Sequence, residues 1–192
     1  MTQLPDTDTG EIVLRAVRGD NSAFEQLVTR LHLRVFRWAL AFASDPDEAD
    51  DIVQETFVLV YRRLSQFRGD GFASAWIYRI TRHAGLERRR AFGRRARLAA
   101  SARALPERTT YTTDPGARVD RASAVALIRL YFEDLPPRQR EIFDLVDLQG
   151  YDPAEAARMT SLNPNTVRAN LFKARATIRA RMIAAHPGLF VP

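Results

Sequence analysis

Three groups of side chains in this sequence are spaced so that they could do chemistry. Asp51, Gln54 and Glu55 recur at helical spacing inside the acidic run DPDEADDIVQE, and they form an acceptor-rich surface suited to a basic protein partner. Phe67, Arg68, Phe72, Arg79, Arg82 and Arg88 follow directly in SQFRGDGFASAWIYRITRHAGLERRR. Aromatic rings offer stacking platforms for unpaired bases and guanidinium groups hold the backbone between them. Near the end of the chain come Asn163, Asn165, Thr166, Arg168, Ala169, Phe172, Lys173 and Arg175. Arginine takes guanine bidentately and asparagine takes adenine in a major groove, while further cations anchor phosphates.

The charge distribution supports a polyanionic partner. Net charge is +6, but it is segregated. Acids outnumber arginines from residue 1 to 60; arginines dominate from 61 to 108; no acid follows Glu155, where Arg158, Arg168, Lys173, Arg175, Arg179 and Arg181 stand. Two separate basic surfaces fit nucleic acid better than a small substrate.

Other chemistries are excluded. There is no cysteine, so disulfides and thiolate metal sites cannot form. His32, His83 and His186 are scattered, and neither a metal nor a cofactor is expected. No glycine-rich phosphate loop, nucleophile elbow or paired-carboxylate constellation is present, so the chain does not read as an enzyme. The acids between Asp45 and Glu55 are better explained as a docking face. No apolar run approaches the ~18 residues of a membrane span, and the acidic start MTQLPDTDTGE is no signal peptide. A cytoplasmic protein without membrane insertion is the expectation.

The elements that must position these groups are all helical. Asp8 with Glu11 opens a short first helix bearing Ile12, Val13, Leu14 and Val17, which Gly19-Asp20-Asn21 breaks. A capping box of Ser22 and Glu25 starts a second helix reaching Ala43, with Phe24, Leu27, Leu31, Val35, Trp38 and Phe42 towards the core. Asp45-Pro46 starts a third, in which Ile52, Val53, Phe57, Val60 and Leu64 turn inward while Asp51, Gln54, Glu55, Val58 and Arg62 remain exposed. After the turn at Gly69-Asp70-Gly71, a fourth helix runs from about Phe72 to Arg90. Core packing explains Trp76; Phe67 and Phe72, flanking the turn, are expected at the surface, and Tyr61 and Tyr78 stand among the same arginines.

From Ala91 to Arg118 small residues, arginines, threonines and prolines read as a linker with a possible helical start. A second helical domain follows. Val125, Leu127, Ile128, Leu130, Tyr131 and Phe132 supply its first apolar block. Pro136-Pro137 opens a helix with Ile142, Phe143, Leu145, Val146 and Leu148 inside, ended by Gly150. Asp152-Pro153 opens a short helix to Met159, Thr160–Asn163 turns, and a basic helix begins at Pro164 or Asn165 with Val167, Leu171, Ala174 and Ile178 inward. Short helix, tight turn and longer basic helix make the helix-turn-helix pattern. The expected architecture is all-α: domains at 9–92 and 119–184, joined by a flexible linker at 93–118.

DEADDIVQETFVLVYRRLSQFRGDGFASAWIYRITRHA resembles the second conserved region of bacterial RNA polymerase sigma factors of the extracytoplasmic-function (ECF) group, and LPPRQREIFDLVDLQGYDPAEAARMTSLNPNTVRANLFKARATI is similar to their fourth region. The resemblance implies a factor that binds core RNA polymerase, directs it to particular promoters and helps melt the start-site DNA. It places Asp51, Gln54 and Glu55 on the clamp coiled coil of the β′ subunit. It places Phe67, the Arg68–Phe72 turn and His83 at a pocket for a base flipped out of the minus-ten element, whose unstacking costs a few kcal/mol and is recovered by stacking and edge contacts. The fourth region would read the minus-thirty-five element as duplex and touch the β flap, and the linker would thread towards the active-site cleft. Many members are held by an anti-sigma factor, so such a partner is an expectation of the resemblance.

Two positions depart from the family pattern. His83 stands where many members have asparagine, and Ala169 and Asn170 replace the commoner serine and arginine, so base preferences cannot be copied from relatives. The competing reading, a helix-turn-helix regulator working without polymerase, predicts tight duplex binding by the isolated protein.

Overall fold

The computed structural model describes residues 6–69, 72–100, 131–132 and 134–185, with side chains described from residue 8 to 91 and again from 131 onward within those ranges. Every regular element among them is helical, and none is long and apolar enough to cross a membrane. The linker from 101 to 118, the apolar block from 119 to 130 and His186 lie outside the described residues. The chain forms two compact units, one built on the first four helices, with which Ala157–Leu162 is grouped, and one on the rest of the later helices.

In the first unit α1 spans Asp6–Val17, α2 Asn21–Leu40, α3 Pro46–Arg62 and α4 Ala73–Ala100. The cap of α2 differs from the expected Ser22 box. Asp20 is the N-cap, accepting from the Ala23 N–H at 3.0 Å, while the Ser22 hydroxyl donates to the same carboxylate at 2.8 Å. Hydrogen bonds from Ser22 and from Arg15 hold that carboxyl down at about 2. The start of α3 is as the sequence suggests: Pro46 sits in the first turn, Asp45 accepts from Glu48 N–H at 2.7 Å, and Glu48 accepts from Ser44 N–H at 2.6 Å. The first of these bonds satisfies an amide that the helix itself leaves open, and the second ties the residue before the cap to the first turn.

The core of this unit is aromatic at its centre. Trp38 and Tyr78 meet edge to face at 5.5 Å, and both are buried, as are Leu27, Leu31, Val35, Ile52 and Ile77. Tyr78 is therefore core, not a platform for bases. α4 packs very closely at Gly85, where an added Cβ would lie 2.5 Å from the Cβ of buried Phe42. Only glycine fits there without repacking. α4 also continues ten residues past Arg90, through AFGRRARLAA, the stretch expected to be the helical start of the linker. Alanine, arginine and leucine are strong helix formers, and one glycine does not stop them.

In the second unit α5 spans Pro137–Phe143 and passes into a wider π-type turn at Asp144–Leu148. That turn shifts the helical phase. Leu148, expected inside, is exposed, while Asp144 is buried. Burial pushes the Asp144 carboxyl up to about 7; a hydrogen bond from the Gln149 side chain opposes this and the nearby Glu141 charge adds to it. The folded chain thus keeps a proton that the unfolded chain releases near 3.8, so stability falls as pH rises between those values and is lowest above 7. Asp144→Asn is expected to come close to the parent at pH 4 and to exceed it at pH 8 by on the order of 4 kcal/mol. Thermal unfolding at the two pH values checks this; an equal gain at both would remove the titration from the account.

α6 spans Pro153–Thr160 and α7 Pro164–Ala185. Asp152 caps α6 through the Ala154 and Glu155 amides at 2.7 and 2.8 Å, and Glu155 returns a bond to Asp152 N–H at 2.9 Å. Ser161 takes a left-handed backbone conformation, φ 56°, and Leu162 N–H reaches back to the Ala157 carbonyl at 3.1 Å. This tight turn re-aims the chain into α7.

Candidate functional site

The faces of α3 separate as their spacing requires. Ile52, Val53, Thr56, Phe57 and Val60 are buried, whereas Asp51, Gln54 and Glu55 are exposed. The same exposed stripe continues into Val58 and Tyr61. Tyr61 lays its ring edge against Phe24 at 5.0 Å, which fixes it in place. The sequence reading placed Val58 on the surface without a role and grouped Tyr61 with base-stacking aromatics; the structure joins both to the acidic face. Stepping from Glu55 by three and again by three was the available signal. An acid-headed, apolar-tailed stripe suits a partner that is basic at one end and greasy at the other.

Beyond α3 comes a 3-10 turn at Leu64–Gln66, with Phe67 as its C-cap, its N–H donating to the Leu64 carbonyl. Phe67 is only 8% exposed and packs at 5.2 Å on Trp76, so the expectation of a surface ring is corrected. Phe72 keeps half its area in solvent. Arg68, Arg79 and His83 are exposed, and Arg82 is half-buried. Gly69 has φ +75°, a conformation that favours glycine; Asp70 and Gly71 lie outside the described residues. Arg79 and His83 are one turn apart on the outer side of α4, giving a cationic and an adaptable donor–acceptor group a common outlook.

Arg88 departs from that set. It pairs with Asp51 of α3, which joins the two groups that the sequence kept apart.

In the second unit the inward stripe of α7 is Val167, Leu171, Ala174 and Ile178, all buried as its periodicity requires. Asn163, Asn165, Thr166, Arg168, Ala169, Phe172, Lys173 and Arg175 are all exposed, Phe172 by 75%. Their present partners differ. Asn163 accepts from Asn165 N–H at 2.8 Å and so acts as a helix cap, with its oxygen already occupied. The Asn165 oxygen accepts from Arg168 at 3.1 Å, which steers the guanidinium along the helix start. Arg175 grips both oxygens of Asp147 at 2.9 and 2.5 Å, tying α7 to the π-type turn after α5. A fork engaged on a carboxylate has few donors left for bases. Arg168, Ala169, Phe172 and Lys173 remain as the outward group on the first turns of α7.

Comparison with known proteins places this arrangement. The model of Sigma-70 region 2 matches residues 27–95 and that of Sigma-70 region 4 matches residues 126–178. The ECF RNA polymerase sigma factor SigM of Mycobacterium tuberculosis strain Erdman is 34% identical over 180 residues, covering 93% of this chain and 86% of that protein. This chain belongs to the ECF sigma factor family. It is therefore a non-enzymatic factor for RNA polymerase-directed transcription initiation, with a DNA-binding helix-turn-helix in region 4. The RNA polymerase sigma-H factor of Pseudomonas aeruginosa strain PAO1 is 29% identical over 178 residues, covering 88% of this sigma factor and 90% of that one. Among solved structures, CnrH in complex with the cytosolic domain of CnrY aligns with a TM-score of 0.66 at 25% identity, over 91% of this sigma factor and 97% of that chain. The chain of RpoE with the anti-sigma factor NepR from Bartonella quintana shares the fold, with a TM-score of 0.63 at 20% identity, over 82% and 94% of the two chains.

Proposed function

We propose that this sigma factor works in the cytoplasm with two grips on DNA and one on polymerase, divided as domains 9–92 and 119–184 with a linker at 93–118. Asp51, Gln54 and Glu55 dock on the clamp coiled coil of β′, with Val58 and Tyr61 extending the contact. Arg68, Phe72, Arg79, Arg82 and His83 hold the minus-ten element as a melted single strand, and His83 meets the flipped base. Phe67 supports that site from beneath by its contact with Trp76. Arg168, Ala169 and Phe172 read the minus-thirty-five duplex, while Lys173 anchors a phosphate, Asn163, Asn165 and Thr166 position the helix start on phosphates, and the same domain contacts the β flap. The observation that carries this reading is the exposed Asp51–Gln54–Glu55 face standing in the same unit as the exposed Arg79 and His83.

CnrH was solved with the cytosolic domain of CnrY bound to it. A protein partner of the anti-sigma kind, covering the polymerase-facing surface, belongs to the proposal.

The test is reconstitution. Mixing the protein with core polymerase should yield core-dependent transcripts from the promoter upstream of its own gene, with permanganate-reactive thymines marking melted DNA. Tight duplex binding without core, and no association with core, would overturn the reading.

A further inference from the structure

Arg88 entered the sequence reading as one of several arginines able to hold minus-ten DNA, but its place on α4 contradicts that company. From Arg79 to Arg88 is nine residues, about two and a half helical turns, so the two side chains leave α4 on opposite sides. Arg88 follows Ile77, Thr81 and Ala84 at steps of four, three and four, and all three of those residues are buried. It is the last member of the inward stripe, at the end where α4 leaves the core and meets the start of α3. There its guanidinium donates to Oδ2 of Asp51.

From this pairing, and resting on the proposal that Asp51 docks on polymerase, we propose that Arg88 is a positioning residue of the docking face and not a DNA contact. A carboxylate accepts several hydrogen bonds. With Oδ2 held by Arg88, Oδ1 is presented to the partner in one orientation, and the side-chain freedom that docking would otherwise remove is already reduced. The side chains of Arg88 and Asp51 are 36% and 51% exposed, so the pair is open enough for a third group to join it. The partner surface this selects is a donor, lysine or arginine, approaching from the solvent side of Asp51. Arg88 then lies behind the carboxylate and is shielded from the incoming charge.

Core affinity and promoter melting separate the alternatives, using the full-length protein with core polymerase. Arg88→Ala should weaken core binding by about twofold to fivefold, the range of a solvated ion pair, with Arg88→Lys recovering part of it. Arg89→Ala, which removes the same charge from the exposed neighbouring position, should leave core binding unchanged. At saturating sigma factor, R88A should melt the promoter as well as the parent does. In the Asp51→Asn background the Arg88 substitution should add nothing. Three results would overturn the proposal: core binding unchanged or tightened by R88A, a melting defect that persists at saturation, or additive losses in D51N/R88A. If D51N itself binds core normally, it is the assignment of Asp51 to docking that fails, and the two failures are thereby told apart.

Discussion

The variant D51K/E55K is expected to lose stable association with core polymerase, and promoter-directed transcription with it, while keeping its fold. Both positions are exposed on α3 and neither belongs to the buried stripe of Ile52, Val53 and Phe57. Exposed substitutions usually move stability by less than about 0.5 kcal/mol, to which loss of the solvated Arg88 pair adds at most about 1. At an interface the balance is different. Removing one partner of a desolvated, hydrogen-bonded charge pair costs about 2–5 kcal/mol, and reversal adds repulsion against a basic surface. Two such sites predict a loss of at least a thousandfold, roughly 4 kcal/mol. Co-elution with core reads the binding and circular dichroism melting reads the fold; a folded double variant that co-elutes normally would move the docking face elsewhere.

Arg168→Ala is expected to cost about 1–3 kcal/mol in promoter recognition, concentrated at one base pair of the minus-thirty-five element. The Arg168 guanidinium is steered by Asn165 at 3.1 Å, and it has no buried role to lose. Lys173, one and a half turns further along, is expected to behave as a phosphate anchor: K173A should weaken all promoters alike and flatten the salt dependence. Competition between promoter duplexes varied base by base, at fixed salt, distinguishes the two. A uniform loss in R168A would reduce it to an anchor as well.

The helical architecture was legible because the buried stripes of α3 and α7 repeat at three and four residues, a pattern that needs no partner to be seen. The exposed faces followed as their complements. The aromatics were harder. Phe67 and Tyr78 stand among arginines as a base-stacking ring would, and only the contact of Phe67 with Trp76 and of Tyr78 with Trp38 assigns them to packing. Leu148 was misplaced because the wider π-type turn at Asp144–Leu148 shifts the helical phase by its end, and nothing in DLVDLQG announces that turn. Arg88 and Arg175 carry the same lesson for charge. A cation's acid lies on another helix, 37 and 28 residues away, and spacing along one helix does not reveal it.

Gly85 lies buried against Phe42, yet it bears on both proposed contacts, the one with polymerase and the one with DNA. A helix that can approach Phe42 only through a residue without a side chain has one rotational setting, like a key with a single cut. That setting directs His83 and Arg79 to one compass bearing and Arg88 to the opposite one. The angle between the proposed minus-ten face and the proposed docking face, both on the first unit, is thus written in a missing methyl group, and promoter preference can drift through surface substitutions without the bearing of either face being disturbed.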